Sequence, residues 1–302
     1  MRVTVTGATG LIGSRLVAAL ARRGDEVTVL SRDPARARER LGSGIEAVAW
    51  DPLGEPAPAD ALAGRDGVIH LAGEPVAQRW STAAKERIRT SREVGTANLV
   101  AGLRSADPRP RALVSASAVG YYGAHGDEEV PESTPPGEDF LAEVCVAWER
   151  AAEAARELGM RVALVRTGIV LDRDGGALAK MLPPFKAGVG GPVAGGTQWM
   201  PWIHVDDLVA LYLAALDRDD WSGPLNGSAP QPVTNKDFSK ALGRALRRPA
   251  LAPVPRLALR ALYGEMEQIV TTGQRAVPQR ALALGHAYAH PDLDEALRSA
   301  LA

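Results

Sequence analysis

Thr6-Gly7-Ala8-Thr9-Gly10-Leu11-Ile12-Gly13 stands between a strand-like triplet, Val3-Thr4-Val5, and an amphipathic run from Leu11 to Arg23. The run has helical periodicity, so the three glycines occupy a strand-to-helix turn. Each glycine has a separate use in such a turn. Gly7 permits the tight bend, Gly10 lets backbone approach a diphosphate, and Gly13 lets the helix pack close to the sheet. Thr9, Leu11 and Ile12 supply the backbone around them, and the helix start offers free N–H groups and partial positive charge. A glycine triplet alone is a weak signal. Its place after a strand, before a helix and at the head of a βαβ series makes it a dinucleotide cradle.

Working outward, strand-like and helical stretches keep alternating. Val27–Leu30, 45–49, 67–71, 111–115 and 161–166 read as strands, and 35–41, 81–104 and 140–158 read as helices. Six strands joined in this way make an α/β protein, a Rossmann-type doubly wound parallel sheet covered on both faces. After Val170 the pattern changes: 188–196 is glycine-rich, and Pro183, Pro184 and Pro192 are expected to break any helix there. Helices follow at 207–216, 235–246, 255–263 and 293–301. Residues 1–170 therefore read as the nucleotide-binding domain, with 203–220 returning to it. The remainder of 171–302 reads as a smaller, mostly helical, substrate-side C-terminal lobe.

Composition narrows the class. The 302 residues carry a net charge of -1 and are 46% hydrophobic, which suits a sizeable core and argues against nucleic acid as a partner. Cys145 is the single cysteine, so neither a disulfide framework nor a cysteine–zinc site is available. No apolar run near 18 residues suggests a membrane span, and the first residues read as a strand rather than a leader. The expected location is the cytoplasm. No His, Cys, Asp and Glu spacing matches a metal-ligand motif, so no metal is expected.

The end of the second strand decides between the two nicotinamide cofactors. An NAD site usually places Asp or Glu about 20 residues beyond the turn, to hold the ribose 2′-hydroxyl. Here Ser31 and Arg32 stand there, with Arg36 one helical turn further. A guanidinium holds a 2′-phosphate that a carboxylate repels, so the residues favour NADP(H). Asp33, one position late, is a carboxylate that can still meet a ribose. Arg38 and Arg40 read as a solvated helix face.

Several further motifs accompany the turn: HLAGEP at 70–75, RWSTAAKERIRTSR at 79–92, SASAVGYYG at 115–123, DFLAEVCVAWE at 139–149, WIHVDDL at 202–208 and GQRAVPQRAL at 273–282. Together they resemble the extended short-chain dehydrogenase/reductases, in particular the atypical epimerase-family branch that carries a C-terminal domain of unknown function. The resemblance spans nearly the whole chain. It implies that Asp51 lies near the adenine and that Leu71, Ala72 and Gly73 line the ribose and diphosphate. It further implies that Asn98 occupies the helper-asparagine position and Ser117 the catalytic serine. These enzymes ordinarily pair Tyr-x-x-x-Lys, the lysine charge lowering the pKa of the proton-transferring tyrosine. Counting back from Trp148-Glu149 puts Leu141 and Cys145 at those two positions. Leucine transfers no proton, and a lone cysteine on an amphipathic helix is ordinarily packing.

Other residues are therefore candidates for the missing acid. Tyr121 and Tyr122 follow Ser117 in the loop after the fifth strand, where such sheets place ligands; each is a proton donor or a packed ring. Lys85, near Arg79, Trp80, Ser91 and Arg92 in sequence, is a proton donor, an anion contact or a solvated helix lysine. Glu74 is an acid or a turn cap. Trp199 and Trp202 read as an aromatic wall beside the 188–196 loop, either closing over a ligand or filling a core corner. His204 precedes two helix-starting aspartates and is either substrate-side or structural.

Two functions fit. One is an NADP(H)-dependent oxidoreductase or epimerase acting on a small carbonyl or hydroxyl substrate. The other is a non-catalytic protein that senses NADPH or binds a partner.

Overall fold

The computed structural model describes residues 1–302, apart from the side chains of Ala258 and Leu262. The first half contains β1 (Arg2–Thr6), α1 (Leu11–Arg22), β2 (Glu26–Ser31), α2 (Pro34–Leu41), β3 (Glu46–Ala49), β4 (Gly67–His70), α3 (Thr82–Ser105), β5 (Ala112–Ala118), β6 (Glu129–Val130) and α4 (Phe140–Glu153). β7 (Arg161–Thr167), β8 (Ile169–Leu171), α5 (Gly176–Lys186), β9 (Trp199–Met200), β10 (Trp202–His204), α6 (Val205–Asp217) and β11 (Gly223–Gly227) follow. The chain ends with β12 (Val233–Thr234), α7 (Asn235–Leu246), α8 (Arg256–Tyr263), α9 (Gln268–Thr271), β13 (Arg275–Ala276), α10 (Gln279–Ala283) and α11 (Leu293–Leu301).

Seven strands form one sheet in the order β11-β7-β5-β4-β1-β2-β3, and every pairing in it is parallel. The seventh strand, β11, reads Gly-Pro-Leu-Asn-Gly. It has no β-branched residue and no alternation, which is why its sequence does not announce a strand.

Because strand side chains alternate, each strand serves two cores. Val3, Val5, Val29, Val114 and Val165 face α1 and α6, where they meet Leu16, Leu20, Leu208 and Tyr212. Val68, Leu113, Val162 and Leu164 face α3 and α4, where they meet Leu99, Leu103 and Ala152. Fully burying one such aliphatic side chain contributes about 1.5–3 kcal/mol, so two dry faces hold the sheet in place. A third apolar cluster joins α5, α7 and α11 through Leu182, Phe185, Phe238, Leu242 and Leu297. This is the smaller, helical C-terminal part. Among the described residues no helix is long and apolar enough to cross a membrane.

One expectation about the second half is corrected. Pro183 and Pro184 do not break a helix; they lie inside α5. They sit in its last turns, where their missing N–H groups cost only two ladder bonds. Leu178, Leu182 and Phe185 on the same helix are buried, and that packing outweighs the loss.

Candidate functional site

Gly7 has φ +66°, and an added Cβ would lie 2.7 Å from the Leu71 carbonyl carbon. At Gly13 an added Cβ would lie 2.4 Å from the Gly7 carbonyl oxygen. Both positions therefore exclude any side chain, and the bend presses directly on the end of β4. Helices α2, α3 and α4 begin with side-chain caps from Asp33, Ser81 and Asp139. Helix α1 begins at Gly10 with no side-chain cap and no acidic residue in its first turn. Its leading N–H groups, at Leu11, Ile12 and Gly13, have no intrahelical partner. This end of α1 is open to an anion.

Thr6 ties the turn to β4. Its hydroxyl accepts the Leu71 and Ala72 N–H groups at 3.2 and 3.3 Å and meets His70 Nδ1 at 2.7 Å. His70 is fully buried, with Nε2 2.9 Å from the Thr96 hydroxyl. Burial, with Arg92 nearby, lowers its pKa to about 4, so the ring is neutral near pH 7.

At the end of β2, the Asp33 carboxylate accepts the Arg36 N–H at 3.0 Å and caps α2. Ser31 bonds the Asp33 backbone. Arg32 and Arg36 are both exposed, and among the described residues neither side chain has an ion pair or hydrogen bond. The turn thus offers two free guanidinium groups, while its one carboxylate is used locally. Asp51 turns its carboxylate to the Leu53 N–H at 3.1 Å. Asn98 donates to the Pro52 carbonyl at 2.9 Å and so pins the loop after β3.

At the C-terminal ends of β5, β7 and β11 lies a buried polar network. Arg166, 3% exposed, makes a two-pronged pair with Glu149, Nε to Oε1 and Nη2 to Oε2, both 2.8 Å. Ser117 donates to Glu149 Oε1 at 2.6 Å. Arg166 Nη1 donates to the Tyr122 hydroxyl at 2.9 Å, and that hydroxyl donates to Asn226 at 2.7 Å. Burial opposes the Arg166 charge, but Glu149 more than offsets it and raises its pKa. Burial pushes the Tyr122 phenol up to about 12. Glu132 completes the network by accepting the Asn226 and Arg280 N–H groups.

The candidate acids are thus in very different settings. Ser117 and Tyr122 are bonded within the network. Lys85 pairs with Glu265 and stands over the Trp80 and Phe140 rings. Tyr121 is half-buried, with the Arg166 guanidinium 3.4 Å from its ring centroid, and its hydroxyl has no partner among the described residues. Leu141 packs against the apolar cluster of Trp80, Ile88, Val144 and Met266. Cys145 is buried, which pushes its thiol up to about 12, so it is uncharged at neutral pH.

The substrate-side candidates are more dispersed. Glu74 accepts from Gln78, and its own N–H donates to Ser91. Trp80 is buried, with its N–H on the Val76 carbonyl. Trp199 donates to Asp127, whereas Trp202 is fully buried and donates to the Gln231 carbonyl. His204 is buried, and its Nδ1 accepts the Asp206 N–H at 3.2 Å. The fold also gathers His204, Asp206 and His290 with ligand-type atoms within 4.8 Å of one another. Sequence spacing does not show that grouping, because His290 comes from the distant tail. The sequence reading also missed Glu149, Arg166, Glu132 and Asn226, whose roles exist only through pairing across strands.

Residues 3–225 match the NAD dependent epimerase/dehydratase family, and residues 254–300 match a domain of unknown function, DUF1731. The chain is 42% identical over 308 residues to the chloroplastic epimerase family protein SDR39U1 homolog of Arabidopsis thaliana, covering 99% of this chain and 86% of that one. It is 38% identical over 307 residues to human epimerase family protein SDR39U1, covering 100% of both. The crystal structure of human SDR39U1 (isoform 2) with NADPH superposes with a TM-score of 0.88 at 35% identity, covering 99% of this chain and 98% of that one. A Bacillus cereus UDP-glucuronic acid 4-epimerase, solved with UDP-glucuronic acid and NAD, shares the fold at 18% identity and a TM-score of 0.78, covering 98% of this chain and 96% of that one. With an open glycine turn on a seven-stranded parallel sheet and matches of this extent, the chain belongs to the NAD dependent epimerase/dehydratase family, in its extended short-chain dehydrogenase/reductase branch.

Proposed function

We propose that the chain is an NADP(H)-dependent oxidoreductase or epimerase acting on a small carbonyl or hydroxyl compound. The observation that carries this reading is the free pair Arg32 and Arg36, beside an Asp33 whose carboxylate is spent as a helix cap. A relative solved with NADPH, at 35% identity, supports it. The Gly7–Gly13 turn would take the diphosphate, the two arginines the 2′-phosphate, and Leu71, Ala72 and Gly73 the face of the ribose. When bound, the cofactor supplies or accepts a hydride.

In this reading residues 1–170, with 203–220, hold the nucleotide, and the substrate lies between the strand ends and the remainder of 171–302. Tyr121 carries the proton. Among the four candidate acids it alone keeps an unbonded hydroxyl, and Arg166 beneath its ring fixes its orientation. Ser117, whose one proton goes to Glu149, accepts a hydrogen bond from a substrate hydroxyl.

A second reading, a protein that binds NADPH without turnover, is favoured by Leu141 in an apolar cluster and Cys145 as a neutral thiol. Stopped-flow NADPH oxidation against a panel of aldehydes, ketones and 2-oxo acids separates the two. Oxidation that disappears in Tyr121→Phe supports the enzyme; no oxidation with any member supports the second reading.

A further inference from the structure

Arg92, on α3, is half-buried at the end of β4. Its Nη1 donates to the Glu74 carbonyl at 3.0 Å and to the Ile88 carbonyl at 3.1 Å. The guanidinium lies 4.9 Å from the Trp148 ring centroid, which fixes its plane. Among the described residues it has no ion-pair partner, and Nε and Nη2 have no hydrogen bond. Other arginines here meet a carboxylate directly, as at Arg166–Glu149 or Arg244–Asp294. Burial works against the charge of Arg92, and Cys145 and Glu74 offset it only in part. A half-buried cation without a direct ion-pair partner is costly, so it marks a place that an anion from outside can complete.

We propose that the Nε–Nη2 edge of Arg92 receives the carboxylate of a substrate with an apolar body, such as an arylated 2-oxo acid. This rests on the reading that the strand-end crevice is the reaction site. With Nη1 spent on two backbone carbonyls, the free edge is the one that meets a carboxylate with two parallel N–H donors. Gly73 makes room for it: a Cβ there would lie 3.2 Å from Arg92 Cζ and 3.3 Å from Nη2. The glycine that resembles a cofactor-lining position is therefore also the residue that lets this guanidinium reach the strand end. Partly buried Leu141, at the edge of a closed apolar cluster, supplies the apolar half of the recognition. Ile88, whose carbonyl anchors Arg92, belongs to the cluster with Trp80, Val144 and Met266, and Leu141 packs against it. A leucine in place of a proton-transferring tyrosine is consistent with a wall for an apolar body.

The same fork also fits the cofactor diphosphate, and the test separates the two anions. Isothermal titration measures phenylpyruvate binding to protein saturated with NADP+, using the native chain, Arg92→Lys and Arg92→Met. Phenylacetone, which lacks the carboxylate, is the control, and NADPH is titrated into the same three proteins. Thermal melts check that both variants fold, and Arg92→Lys keeps the charge while losing the fork. The expected result is phenylpyruvate binding that falls about tenfold or more in Arg92→Met and by less in Arg92→Lys. Phenylacetone binds more weakly than phenylpyruvate, and NADPH affinity changes by no more than about threefold. Three results overturn the proposal: no phenylpyruvate binding to the native chain, unchanged binding in Arg92→Met, or a tenfold loss of NADPH affinity in that variant. If the native chain does not bind NADPH, the cofactor reading fails by itself, and phenylpyruvate is titrated into the unliganded protein with the same criteria.

Discussion

The Arg166–Glu149 pair permits a quantitative test of what holds the strand ends together. Both side chains are almost wholly enclosed, at 4% and 9% side-chain exposure, and they make two parallel 2.8 Å bonds. Glu149→Gln leaves the Arg166 charge buried without a counter-charge and turns an amide N–H against one of its donors. Removing one partner of such a pair costs about 3–5 kcal/mol. At about 2 °C per kcal/mol for a chain of this size, the melting temperature falls by about 6–10 °C. Arg166→Met strands the Glu149 carboxylate, removes the Tyr122 bond and the support under Tyr121, and costs at least as much. The double variant removes both charges together, so the two penalties overlap. Its loss is smaller than the sum of the singles by about 2–3 kcal/mol, or about 4–6 °C. Differential scanning calorimetry of the four proteins completes the cycle. Strictly additive melting temperatures, agreeing within about 1 °C, would refute the claim that the pair is energetically coupled.

Three further outcomes follow from the site. Replacing Arg32 and Arg36 by alanine removes the two free cations at the end of β2. Each charge-assisted hydrogen bond contributes about 1.5–3 kcal/mol, so NADPH affinity falls about tenfold to a hundredfold for each guanidinium removed, with NADH affinity unchanged; equal losses for both cofactors would contradict the assignment. His70 has its pKa lowered from 6.5 to about 4 by burial, so the unfolded chain binds the extra proton between those values. Its stabilising share is complete above about pH 6.5 and is lost as pH falls through about 4, amounting to roughly 3 kcal/mol. Denaturant melts of the native chain between pH 7 and 4 should therefore fall more steeply than those of His70→Gln, and parallel curves would rule the effect out. If the protein turns over, Tyr121→Phe lowers kcat about 10²–10⁴-fold with NADPH affinity retained, whereas Tyr122→Phe mainly lowers the melting temperature. Unchanged kcat in Tyr121→Phe would remove it from the mechanism.

How far the sequence could be read depended on the range of the interactions involved. The Gly7–Gly13 turn was legible because its constraints are local: a bend at φ +66° and two backbones too close for a Cβ. Six strands were legible from their valines and leucines, but β11 was not, since its burial comes from pairing with β7 rather than from its composition. The prolines of α5 misled because propensity was read without the tertiary packing of Leu182 and Phe185. The offset to the turn placed Ser31 and Arg32 at the end of β2, while Asp33 became clear only once its carboxylate was seen capping α2. Arg92 looked like a neighbour of Lys85 on a charged helix. Its significance depends on Gly73 and Trp148, which lie far from it in the chain. Glu149 served in the sequence only as a register mark for the absent tyrosine and lysine, yet it is the carboxylate that holds Ser117 and Arg166 in place.

The central claim, that the free arginines at the end of β2 select the phosphorylated cofactor, is tested most directly by titrating NADPH and NADH separately into the purified native chain. The expected result is NADPH binding tighter by about a hundredfold or more, with the preference shrinking as salt is raised. Equal affinities, or tighter binding of NADH, would contradict it.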